Sequence, residues 1–279
     1  MKRMELIKTM IACLLVLIAS LGMAQEQEPQ SGYFETSDGI NIHYMTLGDE
    51  GSWVVLIHGY TDSARRMYFS TGIAQALAEN HRVVAIDNRN HGLSDKPQEN
   101  GTGIPRDTIE LMAHLGIEKA HIHGYSMGGG ITGSLLGSNP ELFITASFGG
   151  SGIREADEEL ARASMEMDPV APAPEGTEAA AFERLRARAA SRREAAGESA
   201  PRVRTGPDID LSTIDFPVLA INGEYDRPYS KSQRMLRELG DFQNVILPGL
   251  SHMTAIAVGG PMPQKYIDSL VRFIDSNDE

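Results

Sequence analysis

From residue 53 onward the chain alternates short apolar runs with longer stretches of helical spacing. Trp53–Ile57, Arg82–Ile86, Ala120–His123, Ile144–Phe148, Pro217–Ile221 and Asn244–Leu247 are largely apolar segments of strand length. Between them, Ala64–Glu79, the region around Ile109, Met112, Ala113 and Leu115, Met127–Leu136, Ser230–Leu239 and Pro263–Asp275 repeat apolar residues at helical period. A strand that is apolar on both sides is buried on both faces. Alternation of such strands with helices predicts an α/β fold, a mostly parallel central sheet with helices on both faces. Tyr33–Thr36 and Ile40–Met45, split by Ser37-Asp38-Gly39, predict an antiparallel hairpin at the edge of that sheet.

The rhythm stops between Ser151 and Leu211. This stretch is rich in Ala, Arg and Glu, with prolines clustered in Asp168–Pro174. Leu160, Ala163 and Met167 share one helical face, and Phe182, Leu185 and Ala189 share another. Two or three helices are expected here, packed on the rest of the molecule as an inserted helical cap. The predicted organisation is a leader over 1–24, a linker over 25–32, a first core part over 33–150, the cap over 151–211 and a second core part over 212–279.

The leader reading comes from Lys2, Arg3 and Lys8, the apolar run Met10–Leu21, and the small residues Gly22 and Ala24 before Gln25. That is the layout of a cleavable secretory signal. An uncleaved anchor is the alternative, but a span needs about 20 apolar residues. Cleavage would remove Cys13, the single cysteine of the chain. The mature protein is then expected to have no disulfide, no cysteine ligand or nucleophile, no membrane span, and a periplasmic or secreted address in a bacterium.

Composition narrows the partners. Apolar residues make up 41% and charged residues 23%, as in ordinary globular domains. Lys and Arg number 25 against 38 Asp and Glu, and no basic stripe stands out. Nucleic acid is therefore not an expected partner. No pattern speaks to oligomeric state.

The strongest chemical signal is Gly124-Tyr125-Ser126-Met127-Gly128, placed directly after a strand and before a helix. A serine on so sharp a turn has its hydroxyl exposed above the sheet, and the flanking glycines let strand and helix approach closely. An ordinary Gly-rich turn is the competing reading. A serine hydroxyl needs a base, and the base needs an orienting acid. His252 follows the strand Asn244–Leu247, and Asp226 follows Pro217–Ile221, with Glu224 as the alternative acid. All three would emerge at the carboxyl edge of the sheet, where open α/β sheets bind ligands. His58-Gly59-Tyr60 ends the first long strand. The backbone amides of Tyr60 and Met127 are the candidate oxyanion hole, a tight turn being the plainer account. Asp87–Asp95 reads as a structural turn in which Asp87 and Arg89 make local hydrogen bonds. His43, His81, His114, His121 and His123 are expected to be surface or packed residues, and His91 lies in a turn. No histidine pair has metal-ligand spacing on a helix, so neither metal nor cofactor is predicted.

Taken together, His58-Gly59, the Asp87–Ser94 turn, Gly124–Gly128, Asp226 and His252 resemble the α/β-hydrolase superfamily, in its single-domain serine branch with a helical cap. The resemblance covers Tyr33–Gly150 and Pro217–Ile274. Asn90 stands where the family usually has glycine, and Gln98–Pro105 is Gly-rich where relatives begin a longer helix. The resemblance implies hydrolysis of a small-molecule ester or related acyl substrate through an acyl-enzyme. Members that open epoxides or remove halides carry aspartate at the elbow, so Ser126 argues against both. C–C hydrolase, lactonase and cofactor-free haloperoxidase-like chemistry are alternatives, as is a non-catalytic ligand-binding member. In the cap, Met165, Met167, Phe182 and Leu185 are either an acyl pocket or anchors. Arg184, Arg186, Arg188, Arg192 and Arg193, interleaved with Glu183, Glu194 and Glu198, are either an acid-recognition patch or a solvated face.

Overall fold

The computed structural model describes residues 28–97, 104–168, 173–177, 180–181, 183–184, 187–188, 191–192, 205–252 and 262–278. The expected leader, Phe182, Leu185, Arg186, Ala189, Arg193, Glu194, Glu198 and the 98–103 part of the Gly-rich stretch lie outside these residues. Eight strands form one sheet: β1 (Gln30–Glu35), β2 (Asn41–Leu47), β3 (Trp53–Ile57), β4 (Arg82–Ile86), β5 (Ala120–Tyr125), β6 (Phe143–Gly149), β7 (Val218–Gly223) and β8 (Phe242–Leu247). Their spatial order is β1-β2-β4-β3-β5-β6-β7-β8. β1 and β2 join the edge antiparallel, and every pair from β4 to β8 is parallel.

Side-chain alternation divides the apolar strands between two cores. Val54, Leu56, Val83 and Ala85 point into one, with α1 (Ile73–Leu77) and α6 (Gln264–Asp275) supplying Ile73, Leu77, Tyr266, Leu270 and Phe273. Val55, Ile57, Val84 and Ile86 point into the other, with α2 (Ile104–His114), α3 (Met127–Ser138) and α5 (Pro228–Glu238) supplying Leu111, Ile131, Leu135 and Met235. Parallel register pairs Ile57 with Gly124, Tyr125 with Gly149, and Gly149 with Ile221. The carboxyl ends of β3, β5, β6 and β7 therefore finish level, and the loops leaving them face one another.

Two expectations need correction. The helix expected over Ala64–Glu79 is broken into a π turn at Arg65–Phe69 and the short α1. Gly72, at φ 87°, precedes α1 in the left-handed region, which no continuous helix contains. In the cap, α4 (Glu158–Glu166) does not turn Leu160, Ala163 and Met167 inward. Ala161 and Ser164 are its buried positions, and Leu160 and Met167 are 45% and 53% exposed. Polar ties on either side of α4 accompany this orientation. Arg237 holds Glu155 through two bonds of 2.6 and 2.7 Å, and Asp168 accepts the Tyr229 amide at the start of α5 at 2.9 Å. The small Ala161 and Ser164 are then the residues that suit close packing on α5.

The Asp87–Asp95 turn has the expected local bonds, Asp87 accepting the Leu93 amide at 2.9 Å, but the Arg89 guanidinium reaches well beyond it. Arg89 reaches Asp107 of α2 through contacts of 2.7 and 2.6 Å, and Asp38 of the edge hairpin at 3.1 Å. Asn90 takes φ 69°, the left-handed conformation in which asparagine is tolerated. Asp107 is fully buried and Arg89 nearly so, so removing the guanidinium strands a buried carboxylate. Arg89→Ala is expected to lower unfolding stability by about 3–5 kcal/mol, measured by urea denaturation at neutral pH. Adding Asp107→Asn in that background is expected to recover part of the loss.

Candidate active site

β5 runs straight into α3 through Ser126, which sits at φ 54° and ψ −106°. Few L-residues adopt this conformation, and it persists only where the surroundings over-determine it. Here they do. A Cβ on Gly124 would lie 2.2 Å from the Gly128 carbonyl oxygen, and a Cβ on Gly128 would lie 2.0 Å from the carbonyl oxygen of Ile57. Strand, helix and neighbouring strand thus touch backbone to backbone, which only glycine permits. The Ser126 amide donates to the Gly149 carbonyl at 2.8 Å, fixing the turn to β6.

The three side chains singled out in the sequence come together. Ser126 Oγ lies 2.8 Å from His252 Nε2, and His252 Nδ1 lies 2.9 Å from Asp226 Oδ2. A carboxylate can only accept, so Nδ1 carries the proton and Nε2 faces the hydroxyl with its lone pair. The ring is braced further. The Tyr125 hydroxyl donates to the His252 carbonyl, and a Cβ at Gly150 would come within 3.1 Å of Nδ1. Glu224, the alternative acid, is occupied elsewhere, its carboxylate accepting the Gly249 amide at 2.8 Å. It holds the loop leading toward His252 rather than the imidazole itself.

Lys231 is a further member of the site that sequence reasoning does not single out. It lies in the first turn of α5, with its ammonium 2.5 Å from Asp226 Oδ1, and both side chains are only 6% exposed. A lysine near a helix amino end opposes the macrodipole, which is the one trace of this role in the sequence. Burial pushes the Asp226 carboxyl up, but the Lys231 charge and the His252 bond outweigh it and hold the group below its ordinary range. Asp226 is therefore an anion clamped from two sides, one oxygen on each cation or donor.

On the opposite side of Ser126 lies the loop after β3. A Cβ on Gly59 would be 3.5 Å from Ser126 Cβ. His58 is fully buried and neutral, its pKa lowered by desolvation to about 4. Its Nε2 accepts the Asn88 amide at 3.0 Å, so its Nδ1 donates to the Gly59 carbonyl at 2.7 Å. In a trans peptide the carbonyl and the following N–H point in opposite directions. By holding the Gly59 oxygen, His58 fixes the direction of the Tyr60 N–H. On the far side of the serine, the first amides of α3, Met127 among them, have no partner within their own helix.

The cap reaches this region through Ala173 and Ala180, which pack on Tyr225 beside Asp226. Met165 and Met167 are exposed, at 37% and 53%. Arg184, Arg188 and Arg192 are exposed too.

A family model described as alpha/beta hydrolase fold matches residues 52–237. The chain belongs to that family. Among curated relatives, the dihydrolipoyllysine-residue acetyltransferase component of the acetoin cleaving system of Pseudomonas putida is 32% identical over 143 residues, 50% of this chain and 38% of that protein. A soluble epoxide hydrolase of Corynebacterium sp. (strain C12) is 34% identical over 110 residues, 38% of this chain and 36% of that enzyme. The chain thus spans little more than a third of these relatives. The crystal structure of the serine hydrolase CCSP0084 from the polyaromatic hydrocarbon-degrading bacterium Cycloclasticus zankles superposes with a TM-score of 0.63 at 21% identity, covering 89% of this chain and 98% of that one. At that identity the likeness is one of fold.

Proposed function

We propose that this chain is a serine hydrolase that transfers the acyl group of a carboxylic ester to water. The observation that carries the proposal is the unbroken relay from Ser126 Oγ to His252 Nε2 at 2.8 Å and from His252 Nδ1 to Asp226 at 2.9 Å. His252 takes the hydroxyl proton as Ser126 attacks the ester carbonyl. Asp226 keeps the imidazole in the required tautomer and stabilises its charged form. The oxyanion of the tetrahedral intermediate is received by the amides of Met127 and Tyr60, the latter aimed by His58, with each donor contributing a few kcal/mol. His252 then hands its proton to the departing alcohol, and water repeats the sequence on the acyl-enzyme.

Serine at the elbow sets this chain apart from an aspartate-dependent epoxide opening, even though one relative is named a soluble epoxide hydrolase. Export to the periplasm or beyond, by cleavage after Ala24, is the accompanying proposal and rests on the pattern of the first 24 residues. Comparing the amino terminus of the protein recovered from cells with Met1 and Gln25 tests it.

Ser126→Ala is expected to abolish labelling by a fluorophosphonate and to remove short-chain ester turnover, and His252→Ala to lower kcat by several orders of magnitude with the circular dichroism unchanged. Full turnover by Ser126→Ala would refute the assignment. Lys231→Met tests the clamp on Asp226. Losing the ammonium removes the charge that holds the Asp226 carboxyl low, so its pKa rises. Activity needs the ionised acid, so the acid limb of kcat/KM is expected to move toward higher pH, by about one unit. A uniform loss at every pH would make Lys231 a packing residue only.

A further inference from the structure

The amino edge of the sheet, at the end opposite Ser126, holds a second cluster of polar side chains. His81 directly precedes β4, His121 is the second residue of β5, and Asp278 follows α6. Both imidazoles are buried, at 1% and 0% exposure. One donor atom from each of the three residues lies within 4.8 Å of the others. Ser126 is five residues further along β5 than His121, about 16 Å away.

The hydrogen bonding of His81 does not close. His81 Nε2 donates to Asp275 at 2.8 Å, which leaves Nδ1 as a lone pair. That lone pair is buried, has no hydrogen-bond partner, and faces an Asp278 oxygen at 3.5 Å. Lone pair against carboxylate is repulsive unless a cation lies between them. The contact is longer than the roughly 2.7–3.2 Å of an ordinary N–H···O bond. His121 adds a second imidazole to the same carboxylate. Its Nδ1 is bonded to Thr145 Oγ1 at 2.8 Å, and its Nε2 makes a long hydrogen bond of 3.4 Å to the other Asp278 oxygen. Two ligands bound at about 2.1 Å in a tetrahedral shell are themselves about 3.4 Å apart. The outer bonds also have the form seen around metal-bound histidines, in which the far nitrogen is held by a carboxylate, here Asp275, or by a hydroxyl, here Thr145. Asp278 is fixed in turn by a hydrogen bond from Ser52.

We propose that His81 Nδ1, His121 Nε2 and the Asp278 carboxylate bind one divalent transition-metal ion, zinc being the best match to two imidazoles and a carboxylate, as a clamp between the sheet and the segment after α6. Asp278 is 25% exposed on its side chain, so water can supply the fourth ligand. No step of the chemistry at Ser126 passes through the ion. Its effect is on stability, because the metal joins β4, β5 and the end of α6 in the folded chain alone. These three residues share no helix or short sequence spacing and meet only through the sheet.

The test uses the full chain, purified without a polyhistidine tag, stripped with a chelator and then equilibrated with Zn2+. One zinc per chain is expected by elemental analysis, with a rise in Tm of about 5–10 °C at a hundredfold excess over Kd. Trp53, the single tryptophan, pairs with Arg82 and Ala120 beside the two histidines, so its fluorescence is expected to change with the same stoichiometry. Asp278→Asn, which keeps the volume and an acceptor for Ser52, and His81→Ala are both expected to lose the ion and the shift. Should His81→Ala fail to fold, Asp278→Asn carries the test alone. No zinc retained by the wild-type chain, or equal uptake by Asp278→Asn, would overturn the proposal and leave a hydrogen-bonded clamp.

Discussion

Three backbones meet at the turn after β5, and the rest of the site depends on that contact. Gly124, Gly128 and the Ile57 carbonyl approach so closely that a single methyl group on either glycine would collide with main chain. The approach seats the amino end of α3 over the carboxyl edge of β3 and β5. It also forces Ser126 into a conformation that a free chain would leave at once. Strain of this kind costs on the order of 1–3 kcal/mol, and two buried cores on either side of the sheet supply the packing that sustains it. With the hydroxyl fixed in place, His252 needs only to arrive from the loop after β8.

Electrostatics divide the molecule by sheet edge. At the carboxyl edge, Asp226 is a buried anion held between Lys231 and His252. A buried ion pair adds little to stability relative to apolar packing, because desolvation offsets most of the attraction. Its value here is orientation. One carboxylate oxygen is taken by lysine, so the other has a single direction in which to hold the imidazole. His58 does the same by a neutral route, since a charged ring could not sit fully buried and still accept the Asn88 amide. At the amino edge the polar groups lie away from the reaction, and the bonds from His81 to Asp275 and from His121 to Asp278 tie the last helix to the sheet.

How much of this was legible follows from the range of each interaction. Trp53–Ile57 and Arg82–Ile86 were readable as buried strands because a parallel strand covered on both faces must be apolar at every position. Ser126 was readable because its constraint is local, with both glycines within two residues of it. Asp226 and His252 were readable because each follows its own strand at the same sheet edge. The break at Gly72 was missed because the apolar period continues through it, although the backbone does not. The outward turn of Leu160 and Met167 was missed because ties from Glu155 and Asp168 to α5, residues far away in the chain, accompany the orientation of α4. Lys231 looked like any other helix lysine, and its partner becomes visible only when α5 is placed behind the loop that carries Asp226. Arg89 likewise reaches across 18 residues to Asp107 and 51 to Asp38.

The central claim is that strain at the elbow presents Ser126 as the atom that becomes acylated. Rapid quenching of the enzyme with excess p-nitrophenyl ester, followed by mass spectrometry of the intact chain and its peptides, observes that event directly. The account predicts a burst of nitrophenol and a transient acyl adduct on the peptide containing Ser126, which disappears as substrate is exhausted. Turnover without any adduct, or an adduct on another residue, would contradict it.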